Sequence, residues 1–483
     1  MGTERAKGAS VLVAIAAALS ACGRSERLPF VDERPALVVW IEVDTLRADA
    51  LGAYGALGEA LIGTEPSPAI DRLAGDGVLF ERCYSTAPWT IPSLVSQFTG
   101  RWPFEHGATR LLEPLPESFV MLPEVLRADG WRTAGVGTNF VATGQYGFDQ
   151  GFDRWDDSLA LGHEGSTADA AVELLLAQLD AFADPGPESP VFLFALLFEP
   201  HFRYERHARL RYALEYDGPL TGKEELNELR AMLDEGRLTE ADLAWLRALY
   251  AGEVATVDAA LATLRSGLEE RGLFDECLLV FTADHGEELG ERGWIGHTTS
   301  LSDALVRVPL VVKPPATWDV ERGRRVGSIV SQVDLARTVL DWSEVPDERR
   351  GEHLSRPGSF ASLLGEAGPP ARRLVYTHTR FEPVLNSAVA KRAHRFAVTD
   401  SFEGVTWEVD HQVAEGERPR GTLRRGSESL ALDGGHLPEE YAYLANLRGL
   451  TGDPLNGSDG SEPVPAPLPP EVPSAARVPG STE

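Results

Sequence analysis

Three apolar runs, each closed by polar groups that a hydrophobic core would not choose, constrain this chain more than any other feature. Ala36–Val43 (ALVVWIEV) ends at Asp44, and Val191–Phe198 ends at Glu199-Pro200-His201. Leu278–Thr282 leads through Ala283 into Asp284-His285-Gly286. A short, nearly unbroken apolar run suits a strand buried on both faces, as in a parallel sheet covered by helices. Further strands are predicted at Val78–Cys83 and at Arg132–Gly137, the latter running into Thr138-Asn139. Helical patterns fall between the strands: a capped helix from Ser67, then Met121–Ala128, Ser166–Phe182, Lys223–Asp234 and Glu240–Arg271. Strands alternating with helices predict an α/β fold, a large domain whose mainly parallel sheet is flanked by helices. Polar residues just past the carboxyl ends of such strands face the crevice where open α/β sheets bind ligands.

The stretch 87–100 (APWTIPSLVSQFTG) reads as a turn entering a short helix. Pro92 in a first helical turn costs no hydrogen bond, and Gly100 is a common stop. Thr90 then lies at the positive end of the helix, where an alkoxide or anion is favoured. The alternative is that Thr90 only caps the helix. Asp44 alone is compatible with a turn and His201 with a loop cap, whereas His285 has no role in turn geometry. Taken together, Asp44, Thr90, Asp284 and His285 offer two carboxylates, a hydroxyl and an imidazole, a shell for one divalent cation. That ligand set suits Mn²⁺, Mg²⁺, Ca²⁺ or Zn²⁺ without choosing among them. Such an ion would activate the Thr90 hydroxyl and neutralise an anionic ester under attack. His201 and His297 (in Gly296-His297-Thr298-Thr299) would bind the ester's oxygens, protonate the leaving group, or help to hold a second metal.

The chain has 483 residues and a formal charge of −29. That charge argues against nucleic acid as a partner, but a local cation can still admit an anionic substrate. Arg5 and Lys7 precede a short apolar run, Val11–Leu19, with the layout of a signal peptide. Leu19-Ser20-Ala21-Cys22 resembles the bacterial lipobox, which would make Cys22 the lipidated first residue of the mature protein. The alternative is an ordinary secretory signal. The expected setting is therefore the bacterial cell envelope, outside the cytoplasm, with membrane contact through the lipid anchor. Cys83 and Cys277 would be free either to pair in that oxidising compartment or to stay as buried thiols. From about Pro314 the pattern changes: one helix is predicted over Ser331–Trp342, followed by short strand-like pieces among Gly- and Pro-rich loops. The expected organisation is a signal peptide over 1–21, a tether over 22–35 and a catalytic domain over 36–345. A smaller α+β C-terminal domain over 346–450 and a disordered tail over 451–483 follow.

Five segments in order resemble the sulfatase family: residues 44–55 (DTLRADALGAYG), 87–100, 146–153 (YGFDQGFD), 282–290 (TADHGEELG) and 307–312 (RVPLVV). The family belongs to the alkaline-phosphatase-like superfamily, so the resemblance implies that fold, with a metal at the carboxyl edge of the sheet. It maps Asp44, Asp284 and His285 onto metal ligands and Thr90 onto the nucleophile. It maps His201 and His297 onto substrate-contacting positions, and Asn139 joins them as a substrate-binding candidate. Two departures matter. Where sulfatases carry a Cys or Ser that is oxidised to formylglycine, this chain has Thr90-Ile91-Pro92-Ser93-Leu94, with leucine in place of the usual arginine. Threonine could yield only a ketone on oxidation, never the aldehyde. The usual Asp-Asp of the first metal segment is Asp44-Thr45. Both changes resemble superfamily members that attack phosphorus with Thr, such as phosphoglycerol transferases related to lipoteichoic-acid synthase. The leading expectation is a metal-dependent hydrolase or transferase that attacks a phosphate ester or diester with Thr90 as the nucleophile. The alternatives are sulfate-ester hydrolysis without formylglycine, or a non-catalytic binding homologue.

Overall fold

The computed structural model describes residues 28–365, apart from 56–65, 161–166, 208–214 and single positions 183, 299 and 357. It also describes five strands between 374 and 433. The expected signal peptide, Cys22 and the tail over 451–483 lie outside the described residues. Among the described residues, no helix is long and apolar enough to cross a membrane.

Eleven strands precede residue 332: β1 (Leu37–Val43), β2 (Val78–Tyr84), β3 (Arg132–Gly137), β4 (Arg154–Asp156), β5 (Val191–Leu197), β6 (Cys277–Ala283), β7 (Glu288–Leu289), β8 (Ile295–Gly296), β9 (Arg307–Val308), β10 (Leu310–Lys313) and β11 (Arg324–Ser331). The main sheet has the order β11-β2-β10-β6-β1-β5-β3-β4, with β9 beside β2. Only β10 and the short β9 run against the others. All seven residues of each of β1, β5 and β6 are buried, as their unbroken apolar runs require. β1 lies between β5 and β6 in register, Val43 pairing with both Leu197 and Ala283. Level strand ends therefore deliver Asp44, Phe198 and Asp284 side by side at one edge.

The flanking helices are α1 (Pro68–Asp76), α2 (Thr90–Thr99), α3 (Leu122–Ala128), α4 (Ala168–Asp180), α5 (Leu226–Asp234), α6 (Glu240–Glu270) and α7 (Leu335–Trp342). Every residue of α2 is buried, so this helix is a core element. Its Phe98 packs on Trp40 and Phe194 at ring distances of 5.8 and 4.9 Å. Gly100 ends it at φ 65°, the left-handed conformation that favours glycine. One polar residue interrupts β1: Glu42 accepts from Trp40 Nε1 (2.8 Å) and Gln97 Nε2 (3.0 Å). Burial raises its pKa well above the ordinary carboxylate value.

Several expectations are revised. The single helix predicted over Ser331–Trp342 is really the end of β11, a 3-10 turn at Gln332–Asp334 and then α7. The arginines and Gly327 of β11 hide its period in the sequence, and the strand carries a register irregularity between Val326 and Ile329. Ser67 makes no capping bond; its hydroxyl accepts from Gly52 N and donates to Asp71. Cys83 and Cys277 are separate buried thiols, because Cys83 lies near the carboxyl end of β2 and Cys277 opens β6 at the opposite edge. Within the expected tether, Phe30 and Val31 are buried in the core. Leu354, Phe360 and Leu364 join that same cluster, so the packing of the large domain continues past 345.

The described part of the C-terminal region is an antiparallel meander of β12 (Leu374–Thr379), β13 (Ala393–Asp400), β14 (Val405–Gln412), β15 (Arg420–Arg425) and β16 (Glu428–Asp433). Thr377 of β12 donates its hydroxyl to Ser85 O, 3.0 Å away, just past β2.

Candidate active site

Asp44 follows β1 directly and is fully buried. The chain leaves it through Thr45, which has φ 56°, an uncommon conformation for a β-branched residue. That turn is held from both sides. Thr45 N donates to Asp284 Oδ1 (3.2 Å), and Tyr250 of α6 donates to Thr45 O (2.8 Å) while accepting from Arg47 N (2.9 Å). Across the sheet, Asp284 Oδ1 also accepts from His285 N (2.7 Å). The glycine after His285 is required by close approach: a Cβ on Gly286 would stand 2.0 Å from Ala304 O.

His285 Nδ1 faces Gly286 O at 2.9 Å, so it is the protonated nitrogen and Nε2 keeps a lone pair. Nε2 lies 3.6 Å from Asp44 Oδ1 and 3.4 Å from Asp284 Oδ2. Both of those oxygens are buried without a hydrogen-bond partner. Ligand atoms of Asp44, Asp284 and His285 all lie within 4.8 Å of one another. Two orphaned carboxylate oxygens and an inward imidazole lone pair, all fully buried, fit a divalent cation. Without one the arrangement is costly. Burial and the neighbouring Asp284 push Asp44 up to about 7, and burial pushes Asp284 up to about 7 against the N–H groups of His285 and Thr45. Burial and the charge of His297 press His285 down to about 3.

Thr90 is the first residue of α2, and Trp89 holds the N-cap position with no side-chain cap bond. The capping alternative for Thr90 is therefore excluded by its place in the helix. Thr90 Oγ1 stands 3.4 Å from His285 Nε2. All four residues proposed from the sequence as a metal shell thus meet at one point.

His201 and His297 adjoin that point, their rings 5.2 Å apart, with His297 4.6 Å from the His285 ring. His201 Nδ1 bonds Phe202 O (2.8 Å), and burial lowers its pKa. His297 Nδ1 bonds Glu287 Oε1 (3.0 Å). Burial opposes a charge on His297, yet Glu287 and the two aspartates raise its pKa above the ordinary value. Glu287, in turn, accepts from the Tyr204 hydroxyl (2.8 Å). Asn139, expected at the substrate, has its amide engaged by the protein: Nδ2 donates to Asp44 Oδ2 (2.6 Å) and Oδ1 accepts from Val141 N (3.0 Å). In the structure its side chain orients Asp44.

Glu287 and Tyr204 escaped the sequence reading. Glu287 is one of two adjacent, fully buried glutamates after Asp284-His285-Gly286, and no spacing rule tells that it meets His297 while Glu288 accepts from Ser302. Tyr204 stands in a segment without periodicity.

A model of the sulfatase family matches residues 36–345. The chain is similar to N-acetylglucosamine-6-O-sulfatase of Bacteroides thetaiotaomicron, 23% identical over 432 residues that cover 72% of this chain and 75% of that protein. It is also similar to ulvan-active sulfatase of Formosa agariphila, 26% identical over 66% of this chain and 64% of that protein, just under two thirds of its length. Among solved structures it resembles the phosphonate monoester hydrolase of Agrobacterium radiobacter. There the TM-score is 0.62 at 20% identity, over 87% of this chain and 95% of the other. At that identity the likeness concerns the fold.

Proposed function

Because the chain belongs to the sulfatase family and is an ester hydrolase of that family, we propose that it cleaves phosphate esters or diesters with Thr90 as the nucleophile. The observation that carries this reading is the position of Thr90 Oγ1, 3.4 Å from His285 Nε2 and at the amino end of α2. Asp44, Thr90, Asp284 and His285 are the residues that would hold the divalent ion. When bound, that ion lowers the pKa of a coordinated hydroxyl and offsets the negative charge of the ester. The amino terminus of α2 adds a fixed positive potential at the same atom. His201 and His297 would contact the ester's oxygens and deliver a proton to the leaving group. Glu287 fixes His297 through Nδ1, which leaves Nε2 as the nitrogen available to substrate.

A threonine cannot mature to formylglycine, which favours direct attack on phosphorus. Sulfate-ester hydrolysis without formylglycine is the second reading, favoured by the substrates named for the two sulfatase relatives. A panel of aryl sulfate, phosphate monoester, phosphate diester and phosphonate monoester tests the choice. Faster turnover of the phosphorus esters, lost in Thr90→Ala, is the expected result. Turnover of the aryl sulfate alone would favour the second reading. We also propose, from the amino-terminal sequence, that Cys22 carries a lipid anchor in the bacterial cell envelope. Cys22→Ser should then leave the membrane fraction, and unchanged fractionation would remove the anchor.

A further inference from the structure

We propose that Ser85 and Ser93 form a positioning clamp that fixes the nucleophile helix against the metal-binding strand end. The inference rests on the metal site described above and concerns residues that touch neither metal nor substrate. Ser93 lies one turn into α2 from Thr90, and Ser85 lies just past β2. Both side chains are completely buried. Both hydroxyls converge on one atom, the main-chain oxygen of Asp284, at 2.6 Å from Ser85 Oγ and 2.7 Å from Ser93 Oγ, and the two Oγ atoms lie 3.0 Å apart.

A carbonyl oxygen has two lone pairs, room for both serines, while the single proton of Ser85 is shared between Asp284 O and Ala87 O, 2.7 Å away. The acceptor sides of the serines are also occupied. Ser93 Oγ accepts from Gln97 Nε2 (3.2 Å), and Ser85 Oγ accepts from Ala87 N (3.3 Å). Gln332, beyond β11, bonds the carbonyl one residue earlier, that of Ala283 (2.5 Å), and the Thr282 hydroxyl (3.1 Å). The end of β6 is thus gripped on its main chain at successive positions by groups from α2 and from just past β2 and β11, in addition to the bonds that Asp284 Oδ1 accepts. With Oδ1 held by Thr45 N and His285 N, Oδ2 of that carboxylate stays available to the ion while the backbone carrying it is held from behind. The Ser93 bond also ties α2 to Asp284 directly, so it sets where Thr90 Oγ1 stands relative to His285. Outer partners that orient metal ligands are worth about 10- to 100-fold in metal affinity or activity when removed.

The test compares Ser93→Ala, Ser85→Ala and Thr99→Val. Thr99 supplies the control, a buried hydroxyl on the same helix whose proton goes to its own helix at Val95 O (2.6 Å). The readouts are Mn²⁺ binding by calorimetry without substrate, kcat and KM, and thermal melting. Expected are roughly tenfold weaker Mn²⁺ binding and a comparable fall in kcat at near-constant KM in both serine variants, with neither change in Thr99→Val. If Ser93→Ala does not fold, Ser85→Ala reads the same carbonyl from outside the helix. Folded serine variants with wild-type Mn²⁺ affinity and kcat, or an equal loss in Thr99→Val, would overturn the clamp. Absence of Mn²⁺ binding by the wild type would instead overturn the metal site.

Discussion

At the amino edge of the central sheet, Lys313 buries an ammonium whose bonds go to protein. Its Nζ meets the carbonyl oxygens of Phe274 and Cys277 and lies 4.6 Å from the centre of the Phe274 ring. At the carboxyl edge, Asp44 and Asp284 bury charge of the opposite sign and each leaves one oxygen without a partner. The two edges belong to the same strands and the same hydrophobic core. Satisfied burial at one end is ordinary structure, whereas unsatisfied burial at the other costs free energy that something else must offset. A cation would do so, which is why the orphaned atoms point to function more directly than the burial itself.

The contrast is sharpest at Thr90, where two helix-starting threonines separate by role. Thr167 caps α4 by accepting from Ala170 N (3.2 Å), whereas Thr90 makes no cap bond. Thr90→Ala should lower turnover by about 10³-fold or more, as loss of a nucleophile does, with the melting temperature nearly unchanged. Steady-state kinetics on a metal-loaded, folded variant checks it, and full activity would leave another group as the attacking oxygen.

Asp284→Asn probes the unpaired edge through pH. Burial holds Asp284 near pKa 7 in the folded chain against an ordinary 3.8. The metal-free folded protein therefore keeps a proton that the unfolded chain has released. This contribution to stability is whole below about pH 4, declines as pH rises, and is lost through about pH 7. Thermal melts in chelator should show Asp284→Asn gaining on wild type over that window. Excess Mn²⁺ should stabilise the wild type at pH 7 and not the variant. A pH-independent difference would break the link between the orphaned oxygen and stability.

Lys313→Met disturbs the satisfied edge. It leaves the Phe274 and Cys277 carbonyls short of a donor and should cost about 1–3 kcal/mol in denaturant unfolding. Metal content and turnover per folded molecule should stay at wild-type values. Smallest is Thr167→Ala, which should cost about 1 kcal/mol by removing one cap and change no kinetic constant. A kinetic loss in either variant would blur the boundary between the two edges.

The amino-acid sequence alone determined the α/β class and the three central strands, because β1, β5 and β6 must be apolar on both faces and no surface element reads that way. It also singled out Asp44, Thr90, Asp284 and His285, since strand ends in a parallel sheet share one edge and a His-containing turn needs a reason. It did not determine β11, where arginines and a register irregularity mask the strand. Nor did it assign Asn139 to Asp44, or choose Glu287 over Glu288 as the partner of His297. Those depend on side-chain directions fixed by contacts more than 90 residues apart in some cases. The same holds for Ser85 and Ser93, ordinary serines in a helix entry until the fold brings the carbonyl of Asp284 between them. Periodicity and strand-end position are local properties and survive in the sequence. Which polar atom is left without a partner is a property of the packed whole, and only the tertiary structure decides it.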